Sequence, residues 1–263
     1  MKIVALLMLS LSTAMDPGCG AAVGSNTAKG PGQGGAGGGG DAGGTVGATD
    51  CGALGSHTFC EDFASALPGR FDAESTSAGT LGLGAGQTND PSSALTASLL
   101  HVTTSTRTFA RLHKDFVIRG SHFVLAFAER VDPGCVGQAD LVQTGTLSAN
   151  GNKYFLAVGH GSDGDSIVET SLDAGVYVQS HKVTGHIPRG AWTRVVLDAD
   201  LTKRTVDLSV DGSPIVQGEP LKYAPPDASQ LPSVDVGVLT DNITFNPSAC
   251  TAEIDDVTFD VHL

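Results

Sequence analysis

Trp192-Thr193-Arg194-Val195-Val196-Leu197-Asp198 leads into Thr205-Val206-Asp207-Leu208-Ser209-Val210-Asp211-Gly212, and these two stretches decide how the chain folds. In the second, Val206, Leu208 and Val210 recur at every other residue, with Asp207 and Ser209 between them. Successive side chains of a strand leave on opposite sides, so this alternation marks a strand with one face buried. Asp211-Gly212 then supplies the residues that a tight two-residue hairpin turn accepts. Outward from this hairpin the pattern repeats. Phe123, Leu125 and Phe127 alternate within residues 121–131. Residues 58–63, 99–103, 109–114, 154–158, 176–179, 234–238 and 253–261 read as further strands, separated by turn signals such as Asn150-Gly151-Asn152 and Ile187-Pro188-Arg189-Gly190. About a dozen strands without helical periodicity predict a sandwich or a barrel.

The Trp192 hairpin and the closing run Glu253-Ile254-Asp255-Asp256-Val257-Thr258-Phe259 resemble the end of a two-sheet jelly roll of the concanavalin A-like lectin/glucanase type, also called LamG-like. The resemblance covers residues 58–263. It implies an all-β, two-sheet antiparallel sandwich. Residues 58–63 place Phe59, Glu61 and Phe63 on one face, the kind of first strand such domains carry, and Phe71 stands where the family often has a Trp.

Before that domain the composition changes. Met1-Lys2 followed by a short apolar run to Met15 reads as a signal-peptide core, too short to span a bilayer. Two cleavage readings compete: a small-residue site at Ser12-Thr13-Ala14, or a lipobox-like Gly18-Cys19-Gly20 in which Cys19 becomes the lipidated first residue, with Asp16 standing where Leu is usual. Residues 1–19 are thus expected to be a signal segment, 20–50 a Gly-rich disordered tether, and 51–263 the folded domain. There are five cysteines; acylation of Cys19 leaves four for disulfides in an oxidising compartment. Of the three possible pairings, Cys51–Cys60 with Cys135–Cys250 is favoured. The predicted location is the bacterial cell surface or outer membrane as a lipoprotein, alternatively the extracellular medium. A net charge of −13 argues against nucleic acid and against electrostatic adhesion to anionic lipid, which leaves a lipid at Cys19 as the membrane contact.

The leading catalytic candidates are Glu253 and Asp255, which alternation puts on one face about 7 Å apart. Glucanases of this fold carry a third acid on that strand, where this chain has Val257 and Thr258. The bland alternative is a pair of polar residues on a sheet face. Gly161-Ser162-Asp163-Gly164-Asp165-Ser166 is oxygen-rich, and Asp163 with Asp165 could hold a structural calcium, against the alternative of an ordinary polar turn. No other cofactor is implied. Among the polar-tipped aromatics, Tyr154, Tyr177 and Tyr223 are the candidate ligand-binding residues, while Trp192 is expected to pack in the core. The resulting expectation is a monomeric, non-catalytic module for carbohydrate or another extracellular polymer. The alternatives are a glycoside hydrolase or polysaccharide lyase, and an adhesive surface protein without a small ligand.

Overall fold

The computed structural model describes residues 57–87, 93–99, 108–135, 139–147, 152–161, 164–173, 176–223, 231–240 and 250–262. These residues lie within one compact unit, Gly44–Leu263. Fifteen strands follow one another among them: β1 (Phe59–Glu61), β2 (Ala73–Ser77), β3 (Gly79–Ala85), β4 (Ser93–Leu99), β5 (Thr108–Asp115), β6 (His122–Val131), β7 (Ala139–Leu147), β8 (Lys153–His160), β9 (Asp165–Asp173), β10 (Val176–Gly185), β11 (Thr193–Asp200), β12 (Thr205–Val210), β13 (Ser213–Pro220), β14 (Leu231–Thr240) and β15 (Cys250–His262). Every pairing is antiparallel. The first sheet has the order β13-β12-β11-β6-β15-β4-β3, with β1 beside the second half of β15. The second has the order β10-β9-β8-β7-β14-β5-β2. The chain is therefore an all-β, two-sheet sandwich of the concanavalin A-like jelly-roll type.

The inner faces are those the alternation predicts. Phe123, Leu125 and Phe127 of β6 and Val195 and Leu197 of β11 are fully buried. They meet Val234, Val236 and Val238 of β14, Ala110 and Leu112 of β5, and Leu156 and Val158 of β8. Burying each large apolar side chain stabilises the fold by about 1.5–3 kcal/mol, so the first-sheet to second-sheet contact carries most of the stability. Phe59 and Phe63 both reach Phe71, Phe59 edge-on at 5.2 Å between ring centres. Glu61, buried between them, accepts the backbone N–H groups of Phe63 (2.9 Å) and Arg70 (2.7 Å).

One strand changes sides. In β15, Cys250, Ala252 and Ile254 point into the core, and beyond them so do Val257 and Phe259. Even positions give way to odd ones because the register against β6 shifts between Asp255 and Thr258, and Asp256 takes a φ of 49°. This is a β-bulge, which inserts a residue and re-aims its neighbours. A Cys135–Cys250 disulfide ties the segment after β6 to the start of β15. It closes a separation of 115 residues, which in the chain-entropy account contributes about 4–5 kcal/mol. Cys60 is also disulfide-bonded. Its predicted partner Cys51 lies outside the described residues, as do Cys19, the signal segment and the tether.

Between the sheets lies a sealed polar cluster. His160 of β8 is fully buried; its Nδ1 is 2.9 Å from Asp165 of β9 and its Nε2 3.0 Å from Glu129 of β6. Arg189 adds a guanidinium 3.3 Å from Asp165. Burial works against the imidazolium, but the Glu129 charge and the hydrogen bonds to both carboxylates outweigh it and push the His160 pKa up to about 9.

Candidate functional site

The sequence-predicted residues disperse. Tyr154 points inward, packs in the core and donates to Glu169 at 3.0 Å; burial, then the neighbouring Glu169 charge, pushes its phenol far up. Tyr223 follows β13, packs against the core edge and donates its backbone N–H to the same carboxylate at 2.6 Å. The Tyr154 expectation is corrected, because the inward register of β8 leaves it no solvent face; Tyr223 is only partly buried, with Lys222 Nζ 5.0 Å from its ring centre. Tyr177 belongs to β10, but its side chain lies outside the described set, and Asp163 lies outside it altogether.

Asp165 does not fit calcium. Its carboxylate takes His160 Nδ1, the Ile187 N–H and the Arg189 guanidinium, so a cation would meet two positive groups. Among the described residues no group of three or more His, Cys, Asp and Glu side chains could hold a metal ion.

Glu253 lies on the outer face of the first sheet, bound to the Nε of Arg130. Asp255 is on the same side but sealed at the bulge, where it accepts the Asp256 N–H at 2.9 Å. One acid is neutralised by a guanidinium and the other has no access to solvent, so the pair lacks the open geometry of a glycosidase. Trp192 is also corrected. Thr193, Val195 and Leu197 face inward, so Trp192 and Arg194 face outward, and the indole lies half-buried with the Arg130 guanidinium 5.3 Å from its ring centre.

A different constellation forms on the outer face of the second sheet. Asp235 of β14 is paired across the ladders with His113 of β5 and Gln143 of β7. Its Oδ1 receives His113 Nδ1 at 2.8 Å; its Oδ2 receives Gln143 Nε2 at 2.6 Å and Arg111 Nη1 at 3.2 Å. Arg111 Nε also donates to Ser75 Oγ of β2 at 3.3 Å, so four adjacent strands contribute. Asp235 is 6% exposed, whereas Arg111 and His113 are 28% and 31% exposed, so the carboxylate is the anchor and the guanidinium and imidazole face the solvent.

Electrostatics fix this division. Burial works to raise the Asp235 carboxyl, but the His113 hydrogen bond, the Arg111 charge and the Gln143 amide overcome it and hold it below the usual carboxylate range. The hydrogen bond to Asp235 holds His113 above its ordinary value, against the opposing effect of partial burial.

Two aromatic rings flank the cluster. Phe109 shares the outer face of β5 with Arg111, whose guanidinium lies 5.4 Å from the ring centre. On the other side Phe155 of β8 lies across Gly145 of β7; a Cβ there would come 2.7 Å from the ring. At Gly237, a φ of +143° and an Ala110 carbonyl 2.0 Å from where a Cβ would sit leave room for glycine alone beside Asp235. The signal in the sequence was Phe109-x-Arg111-x-His113, three large side chains on one face of one strand. Gln143 and Asp235 carried no local signal.

No family model matches the sequence, and no curated protein matches it. Solved structures share the fold. The globular domain of T. cruzi calreticulin is 12% identical, with a TM-score of 0.51 over 79% of this chain and 89% of that one. Cip1, a cellulose induced protein, is 14% identical, with a TM-score of 0.50 over 76% of this chain and 96% of that one. A family 7 alginate lyase, A1-II′, reaches only 0.48 at 8% identity over 68% of this chain and 81% of that one, and carries no argument. At these identities the likeness establishes a common architecture and nothing about ligands.

Proposed function

We propose that this protein is an exported, non-catalytic module that holds an extracellular polysaccharide on the outer face of its second sheet. The observation that carries this reading is the Asp235 anchor, which fixes a guanidinium, an imidazole and an amide on one face between Phe109 and Phe155. Sugar recognition needs that combination: rigid hydrogen-bonding groups for hydroxyls and apolar rings for the C–H faces. The groups are held before any ligand arrives, which lowers the entropy cost of binding. Export by the residue 1–19 signal, attachment through a lipid on Cys19 and a spacer over residues 20–50 complete the reading, with the domain working as a monomer at a cell surface.

Affinity electrophoresis in gels containing soluble β-glucan, xylan or alginate tests it. At least one polymer should retard the protein, and Arg111→Ala or Gln143→Ala should weaken that retention about tenfold, one good hydrogen bond's worth, without changing the dichroism spectrum. Uniform mobility in all three polymers counts against the proposal. A catalytic reading has a single support, the His113–Asp235 imidazole–carboxylate pair at 2.8 Å. Release of new reducing ends that disappears in His113→Ala would favour a hydrolase or lyase instead.

A further inference from the structure

The bulge in β15 builds a second feature on the opposite face of the sandwich. A cleft of about 320 Å³ opens there, lined by Gln87, Ala128, Trp192, Arg194, Asp211 and Asp256 among others. That volume falls at the low end of small-molecule sites, which run from about 300 to 1,000 Å³. The cleft is made by sequence-distant pieces. Asp256 is the bulge residue. Asp211 and Gly212, with φ of 49° and 74°, form the hairpin turn between β12 and β13. Trp192 enters β11 from the outside.

Its walls are tied together by hydrogen bonds. Gln87 Nε2 donates to Asp256 Oδ2 at 3.0 Å. Arg194 Nη1 donates to the Asp256 carbonyl oxygen, and the Asp211 carboxylate accepts the Arg194 backbone N–H, both at 2.8 Å. Behind the indole, Arg130 lies against the ring and is itself held by Glu253, so the ring is backed on its Arg130 side. Trp192 Nε1 is shielded from solvent and has no hydrogen-bond partner among the described residues.

The charge is uneven. Among the lining side chains one guanidinium, Arg194, faces two carboxylates, Asp211 and Asp256, and Asp255 is buried close behind. On a chain of net charge −13 this excess disfavours uronates and sulfated sugars and leaves hydroxyl groups as the natural ligands for the carboxylates and amide.

We infer that this cleft is a second sugar site, taking a neutral hexose unit with its apolar face on Trp192 and its hydroxyls on Gln87, Asp211 and Asp256. The inference stands independently of the site on the second sheet. Glu253 acts at a distance, as a positioning residue for Arg130 and hence for the indole.

Trp192 is the single tryptophan of the chain, so its indole N–H resonance and its fluorescence report this cleft alone. The ¹⁵N-labelled full chain is titrated with cellotetraose, with mannotetraose and with tetragalacturonate. A neutral tetrasaccharide should move the indole resonance saturably, with the uronate about tenfold weaker or silent. Gln87→Ala should weaken the response about tenfold, and Arg111→Ala, on the other sheet, should leave it unchanged. An indole resonance that stays still with both neutral sugars overturns the inference. So does an equal response to the uronate, a Gln87→Ala chain that binds like the wild type, or a response lost in Arg111→Ala, which would assign the signal to the second sheet.

Discussion

Two histidines in this molecule each sit against carboxylates, and they differ in what surrounds them. His160 lies between the sheets with Glu129 on one nitrogen and Asp165 on the other, and no part of it reaches water. His113 lies on the outside of the second sheet, bound to Asp235 at 2.8 Å and to the exposed Asp115 at 3.1 Å. The chemistry of the pairs is the same; the solvent is not. A sealed imidazolium has no ligand to meet and every reason to stay paired, since an uncompensated charge in the interior is expensive. A half-exposed one can exchange water for a ligand at little cost. Burial therefore assigns His160 to the fold and leaves His113 on the surface proposed to bind.

The largest test of that contrast is His160→Ala. It strands Glu129 and leaves Asp165 with Arg189 and the Ile187 N–H alone, and should cost about 3–5 kcal/mol of unfolding free energy in urea, whereas His113→Ala, which leaves Asp235 with Arg111 and Gln143, should cost about 1–2 kcal/mol. Equal losses would erase the distinction.

The pH dependence comes next. His160 has a folded pKa of about 9 against an unfolded value near 6.5, so its pairing stabilises fully below 6.5 and is lost as pH rises through about 9. The loss amounts to about 3 kcal/mol at one unit per 1.36 kcal/mol. Urea midpoints should fall across that interval in the wild type and far less in His160→Ala. His113 is shifted in the same direction, so its contribution is also complete below about 6.5 and fades as pH climbs through its raised value. Asp235 is shifted down; its contribution is present above about 3.9 and disappears as pH falls through its lowered value. Polysaccharide retention should therefore be strongest between those limits and weaken on the alkaline side.

Smaller still, Asp235→Asn should cost about 1–2 kcal/mol of stability while abolishing polymer retention, because Arg111 and His113 lose their common anchor. Binding that survives this change would separate the cluster from the ligand. At the bottom of the scale, Arg111→Ala removes one of the hydrogen bonds to Asp235, should cost about 1 kcal/mol and should still weaken retention.

How much of this was legible in the chain depends on the residue. The Trp192 hairpin, the β6 alternation and the closing strand announce themselves, because each buries one face and leaves the other wet. The strands β2, β3 and β13 do not: β2 has no large apolar residue, the few in β3 and β13 (Leu81, Leu83, Ile215, Val216) are set among Gly, Pro, Ser and polar residues, and their side chains stay partly or fully exposed. Asp165 looked like part of an oxygen-rich loop, yet it opens β9 and turns inward to His160. Glu253 and Asp255 were correctly read as neighbours on one side of a strand, but the sequence did not show the arginine beside the first or the burial of the second.

The sequence alone settled an all-β chain, since period-two apolar patterning over so many short segments excludes water only in a sandwich or a barrel, and the likeness of the Trp192 hairpin and the closing strand to a two-sheet jelly roll pointed to the sandwich. Which polar residues meet was decided in three dimensions. Asp235 finds His113 and Arg111 more than a hundred residues away, through ladder register, and the bulge at Asp255–Asp256 reverses the facing of everything after it. Local patterning says which side of a strand a residue takes. Only the packed sheets say what stands next to it and whether water is there.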